Sequence, residues 1–215
     1  MTDDVSLQPP QRTTLLDYAI EALRNAIVNG ELKPGDRVNE LSLSGKLNIS
    51  RTTIREALQQ LEQAGLLERI PYRGTFVTQF SEGKIQEVNQ LRGVLETYAA
   101  EILVQAGKHT PQALQQLYDA IEEMRDLDPT ANPAETNAVH IRFHRTLVEL
   151  TGNELLLTVW NELSLQFLVA MRSSQLSGIA SGRTGRFDEA HEAVVQAIVS
   201  GDMGKIRSVI RSYVS

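Results

Sequence analysis

The chain has 215 residues, a formal net charge of -6, 41% hydrophobic and 5% aromatic residues, enough apolar material for one large or two small domains. It contains no cysteine, which excludes disulfides, thiolate zinc sites and cysteine nucleophiles and suits a reducing cytoplasm. There is no apolar run of membrane-spanning length and no basic-then-apolar leader, so the expectation is a soluble cytoplasmic protein with no membrane partner.

The acidic total argues mildly against nucleic acid, but it is unevenly spread. Residues 1–80 carry 9 Lys and Arg against 10 Asp and Glu, and the remainder 12 against 17. A DNA-binding segment in the first part would therefore need its arginines gathered on one face, because phosphate attraction acts locally.

Met1 to Gln11 reads as a polar lead. From Thr14 to Asn29 apolar residues recur at helical spacing (Leu15, Ala19, Leu23, Ala26, Ile27) and Gly30 closes the helix. After a turn at Lys33-Pro34-Gly35-Asp36, Asn39 caps a second helix over Glu40–Leu47. Ser50 caps a third that runs to about Ala64, with Gly65 after it. Leu66–Ile70 and Gly74–Thr78 then read as a β-hairpin around Pro71-Tyr72-Arg73-Gly74. Three helices and a hairpin outline a winged helix-turn-helix.

From Ser81 onward the pattern is helical, with helices expected to about Ala106, from Thr110-Pro111 to about Leu127, and at about 134–151, 154–174, 184–200 and 202–214. The fold class is thus mainly α: a winged helix-turn-helix over 12–79, then an all-α bundle over 85–214.

The third helix carries the sharpest chemistry. Ile54, Leu58 and Leu61 share one face and dock it, while Arg51, Thr52 and Arg55 lie near its N-terminal end on the other side. In helix-turn-helix proteins that end enters the major groove, where arginine reads guanine and hydroxyls meet phosphate. Arg73 at the hairpin tip could reach the backbone or the minor groove. Spacing alone leaves room for a plain solvated face.

In the bundle, His140 and His144 stand at i and i+4 on one helix, and His191 lies on a later one. Two imidazoles one turn apart plus a third from a facing helix can hold Zn²⁺ or Ni²⁺ with a position left open for a ligand. The same histidines could instead make only ordinary core or surface hydrogen bonds. Arg92 could face a pocket and grip a carboxylate, or pair on the surface with Glu96. Phe143 and Trp160 read as core, and His109 as an exposed turn residue.

Ile27-x-x-Gly30-x-Leu32-x-Pro34-Gly35, Glu40-x-x-Leu43, Ser50-Arg51-Thr52-Thr53-Ile54-Arg55-Glu56-Ala57-Leu58, Leu61-x-x-x-Gly65-Leu66 and Arg73-Gly74-x-Phe76-Val77 together resemble the DNA-binding domain of the GntR family of transcription regulators. That resemblance implies DNA contacts by Ser50, Arg51, Thr52, Thr53, Arg55, Arg73 and Gly74. Leu41 departs from it, standing where many members have an arginine. Asn48 and Thr53 stand where Gly and Pro are common.

Leu91-Arg92-x-x-Leu95-Glu96, His140-x-x-Phe143-His144-x-x-Leu147 and Glu189-x-His191-x-x-Val194 resemble the FCD-type effector domain of the FadR subfamily. Its metal-binding members use an aspartate and three histidines, which map onto His140, His144, His191 and Tyr213. Two of those four positions depart, leaving a three-histidine centre or a metal-free pocket, with Arg92 and Tyr213 as effector contacts. The expected protein is a homodimeric regulator, a repressor by preference, on a palindromic operator and answering to a small organic acid. One alternative is a regulator whose helical half only dimerises around a structural metal. A metal-dependent enzyme is a remote second, since Ile141-Arg142-Phe143 supplies no carboxylate base between the histidines.

Overall fold

The computed structural model describes residues 14–128, 133–176 and 187–214, without the side chains of 133–134, 172–176, 187 and 213–214. In chain order the elements are α1 (Leu15–Asn29), β1 (Arg37–Val38), α2 (Glu40–Leu47), α3 (Arg51–Gln63), β2 (Leu67–Ile70), β3 (Gly74–Val77), α4 (Glu82–Gln105), α5 (Pro111–Asp126), α6 (Pro133–Glu149), α7 (Glu154–Leu176), α8 (Phe187–Ser200) and α9 (Met203–Val214).

The helix starts follow from side-chain caps that satisfy amide groups left over at an N-terminus. Thr14 and Asp17 form a capping box on α1, Asn39 accepts from the amides of Leu41 and Ser42, and Ser50 accepts from the Thr53 amide. Asn48 ends α2 in the left-handed region at φ 54°, a conformation asparagine tolerates next best to glycine. Its replacement of the glycine common in the family is thereby accommodated.

The sheet departs from the expected hairpin by one strand. Order β1-β3-β2 is antiparallel throughout, with Arg37 opposite Phe76 and Val38 opposite Thr75 on one side of β3. On the other side Leu67 lies opposite Val77 and Ile70 opposite Gly74. A two-residue strand carries too little periodicity to be seen in sequence. It is held because Gly35 N donates to Val77 O and Val77 N to Asp36 O, both at 2.9 Å, which pins the turn at Lys33–Asp36 to the wing.

Ile54, Leu58 and Leu61 are fully buried, as the spacing predicts, in a core with Ala19, Leu23, Ile27, Leu66 and Val77. One member of that core, Val169, belongs to α7. The second core lies among α4 to α9, around Leu103, Leu117, Phe143, Leu147, Trp160, Val195 and Ile198. Helix α4 runs through its middle, packed on α6, α7, α8 and α9. Among the described residues no helix is long and apolar enough to cross a membrane.

Candidate DNA interface and histidine cluster

The N-terminal end of α3 is exposed, so Ser50, Arg51, Thr52 and Arg55 all face solvent. Ser50 Oγ is 2.9 Å from Thr53 Oγ1 and 3.1 Å from its amide nitrogen. The Thr53 hydroxyl therefore takes part in the cap, with hydrogen-bonding capacity left for a partner. Arg55 donates through Nη2 to Glu40 Oε2 at 2.9 Å and more weakly through Nε to Oε1 at 3.4 Å. That fork holds the Glu40 carboxyl below the usual carboxylate range and fixes the Arg55 head against α2.

At the wing tip, Tyr72 adopts φ 63° and Gly74 φ 110°. The left-handed conformation at Tyr72 turns its ring fully into solvent, at 109% exposure. Arg73 is exposed, with its guanidinium 5.8 Å from the Phe76 ring centroid. Sequence reading singled out neither Tyr72 nor Glu40: their roles depend on a positive φ and on a contact 15 residues apart, which a residue pattern does not carry.

The second constellation is buried. His140, His144 and His191 are 5%, 1% and 0% exposed, and each offers a ligand atom within 4.8 Å of the others. His144 Nε2 and His191 Nε2 are 3.1 Å apart, while His144 Nδ1 lies 3.0 Å from Glu96 Oε2. The Phe143 ring packs edge-on against His144 and His191. Burial, then the other imidazoles and Arg92, holds His140 well below the ordinary histidine range. His144 is lowered by burial, then Arg92 and His191. The His140 and His144 rings are therefore neutral at pH 7, the form that ligates metal.

Arg92 has the Glu96 partner that its spacing allows, but not on the surface. It is 3% exposed and pairs with Glu96 at i+4, Nε to Oε1 3.4 Å, but inside the core. Its guanidinium stacks over the Phe167 ring at 3.9 Å, and that ring meets His140 at 5.8 Å. Glu96 also accepts from Trp160 Nε1 at 3.3 Å. Burial pushes its carboxyl up, against the pull of Arg92. Glu96 is thus the residue that sequence reading undervalued: it was paired with Arg92 on a solvated face, whereas it stands behind His144. Trp160 and Phe143 are core residues, as expected, yet both touch the cluster. Tyr213 belongs to α9, but its side chain lies outside the described residues.

His109 is half-buried rather than exposed, its Nδ1 3.2 Å from Leu103 O. It lines a cavity of about 270 Å³ with Pro111, Leu114, Gln115, Tyr118 and Val199, which shares no residue with the histidine cluster.

Would the three histidines fit a metal? Ligands about 2.0–2.1 Å from zinc in tetrahedral array stand roughly 3.3 Å apart. The 3.1 Å between two Nε2 atoms and the 4.8 Å envelope need only small ring rotations. A carboxylate on the far nitrogen of His144 is the usual partner of a metal-bound imidazole. The donor set fits.

Residues 16–77 match the family profile "Bacterial regulatory proteins, gntR family", and residues 87–215 match "FCD domain". The chain belongs to the GntR family, with an FCD domain. This GntR regulator is 29% identical over 207 residues to the HTH-type transcriptional regulator LutR of Bacillus subtilis (strain 168), covering 88% of this chain and 93% of that one. It is 29% identical over 197 residues to the Nta operon transcriptional regulator of Aminobacter aminovorans, covering 87% and 92%. Among solved structures, E. coli McbR/YncC superposes with TM-score 0.75 at 21% identity, covering 94% of each chain. A GntR-type regulator from Rhodococcus sp. RHA1 superposes with TM-score 0.76 at 21% identity, covering 93% of each. The GntR chain is a DNA-binding transcription regulator with an effector-binding helical domain.

Proposed function

We propose that this regulator is a cytoplasmic homodimeric repressor on a palindromic operator, released or reset by a small organic acid bound beside a divalent metal. The head, 12–79, reads DNA through Ser50, Arg51, Thr52, Thr53, Arg55, Arg73 and Gly74. The helical part, 85–214, holds the effector and the dimer contact. A relative of the same family, the gluconate operon transcriptional repressor of Bacillus licheniformis, is 28% identical over 141 residues and represses by name.

One observation carries the effector half of this reading: three buried imidazoles, a buried arginine and a buried carboxylate meet in one cluster. Burying so many polar groups costs several kcal/mol that an apolar core would not, so their gathering in one place argues for a role in binding. His140, His144 and His191 would hold Zn²⁺ or Ni²⁺, which supplies a Lewis-acid site for a carboxylate oxygen. Glu96 orients His144, and Arg92 with Tyr213 contacts the effector.

Elemental analysis of the purified protein and of His144→Ala tests the metal: near one ion per chain should fall to near none. Mobility shift on the gene's own upstream DNA tests the head. Unchanged binding after Arg51→Ala combined with Arg55→Ala would remove the assignment of α3 as reading helix. Metal without any stabilising carboxylate in a thermal-shift screen would instead favour a structural ion in a purely dimerising domain.

A further inference from the structure

Between residues 14 and 80 there are six arginines, and they divide evenly by partner. Arg24 pairs with Glu21 at 2.7 Å, Arg55 with Glu40 at 2.9 Å and Arg69 with Glu62 at 3.0 Å. Among the described residues Arg37, Arg51 and Arg73 meet no carboxylate at ion-pair distance. Arg51 sits at the exposed end of the reading helix and Arg73 at the wing tip. Arg37 belongs to neither site as read from sequence, where its segment is only a turn.

The added strand β1 gives it a place. Arg37 lies directly opposite Phe76 of β3, and residues opposite each other in an antiparallel pair point to the same face. That face is the outward one, since the neighbours Val38, Thr75 and Val77 are buried. A Cβ added to Gly74 would come within 3.2 Å of Arg37 Nε and 3.4 Å of its Nη2. The guanidinium therefore rests on the bare α-carbon of Gly74, the residue that follows Arg73. The Arg73 guanidinium lies over the ring of that same Phe76, 5.8 Å from its centroid. The acid on this face, Glu68, is also opposite Phe76 but on β2, two strands from Arg37.

Two cations brought to one exposed edge with no carboxylate at ion-pair distance repel each other and add nothing to the fold. They do make a local anion site, of the kind a nearly neutral head needs to hold DNA. Helix α2 adds no cation at its first turn, where Leu41 is 66% exposed.

We propose that Arg37 is a DNA-backbone contact of the wing, its guanidinium seated on Gly74 beside Arg73 so that the two grip neighbouring phosphates. Gly74 then serves twice. Its φ of 110° makes the turn, and its missing side chain leaves the seat for Arg37.

The contact is to phosphate, so its loss must weaken all duplexes alike and reduce the dependence on salt. The full-length protein, Arg37→Met and Arg37→Lys are compared by fluorescence anisotropy on the upstream DNA and on an unrelated duplex of equal length, over about 50–200 mM salt. For Arg37→Met, affinity should fall several-fold for both duplexes. The slope of log K against log salt should drop by about 0.9 per bound protomer, and the ratio between the duplexes should stay within about twofold. Arg37→Lys should keep most of the slope.

An unchanged slope in Arg37→Met overturns the proposal, as does a loss confined to the upstream DNA. If Arg37→Met lowers the melting temperature, Arg37→Gln and phosphate-ethylation interference on the wild-type protein decide instead. Ethylation interference must then show a blocked phosphate at the wing edge that Arg37→Gln no longer senses, and none there refutes the contact. Wild-type protein that binds neither duplex would count against the DNA-binding reading itself, a distinct result.

Discussion

At the scale of single residues, the fork between Arg55 and Glu40 shows how a charge can be aimed at little cost to stability. Both groups are partly or well exposed, so solvent screening leaves the pair little weight in stability. Its value lies in holding the arginine in one rotamer. Glu40→Ala should leave the melting temperature within a few degrees, yet reduce the preference for operator over random DNA severalfold, because a freed Arg55 still attracts phosphate but no longer arrives oriented. Competition mobility shifts measure that ratio; an unaltered ratio would show that Glu40 is only a surface partner.

The histidine cluster makes a prediction of the opposite kind. In metal-free protein His140 and His144 are held neutral, with pKa values below the unfolded 6.5. The unfolded chain therefore binds more protons below that value. Stability is fully present above about pH 6.5 and falls with acidification, until the folded pKa values are reached. The slope approaches about 1.4 kcal/mol per pH unit for each histidine. Denaturant titrations of chelated protein from pH 8 to about 5 should show this fall, and His140→Phe should shed part of it.

At the scale of elements, what could be read from sequence tracked how local the causal residues are. Helices capped by Thr14, Asn39, Ser50, Ser81 and Thr110 were legible because cap and helix are neighbours. Strand β1 was not, for it exists through amide bonds to a strand about 40 residues later. The site was half legible. The i, i+4 histidines could be paired on paper, but α4 carries Arg92 and Glu96 on a buried face where charges are normally solvated. Only packing against α7 and its Phe167 and Trp160 reveals them as part of the cluster.

The same helix α7 also reaches the head. Phe167 lies under Arg92, while the preceding Gln166 donates from Nε2 to Ala64 O at 3.1 Å, the carbonyl at the end of α3. Val169, one half-turn on, is 1% exposed within the core of the head. One stretch of α7 thus walls the cluster and docks the reading helix. Val169→Ala removes two buried methyl groups from that joint and should cost about 1–2 kcal/mol. Limited proteolysis should then cut faster in the Thr78–Ser81 connection; an unchanged rate would mean that the joint does not restrain the head.

At the scale of the whole molecule, the acidic surplus of the helical half and the near-neutral head imply that DNA is held by a few well-placed cations. Few contacts per head make doubling them valuable. Leu91, Val94 and Tyr98 are 50%, 63% and 53% exposed on one face of α4. Leu155 and Val159 of the adjoining α7 are 74% and 45% exposed. The contact of Glu96 with Trp160 sets Tyr98 and Val159 at about the same level, and exposed apolar side chains on two adjoining helices are the raw material of an interface patch. The homodimer proposed above would cover them with a second copy of the chain, since a two-fold pair would set two copies of α3 against a palindrome. Tyr98→Glu places a charge at the centre of that patch without touching the core behind it. Sedimentation should shift from dimer to monomer at micromolar concentration, and operator affinity should fall by at least about tenfold while the far-UV spectrum stays the same. A variant that remains dimeric would move the subunit contact to another face of the bundle and leave the α4–α7 patch for a different partner.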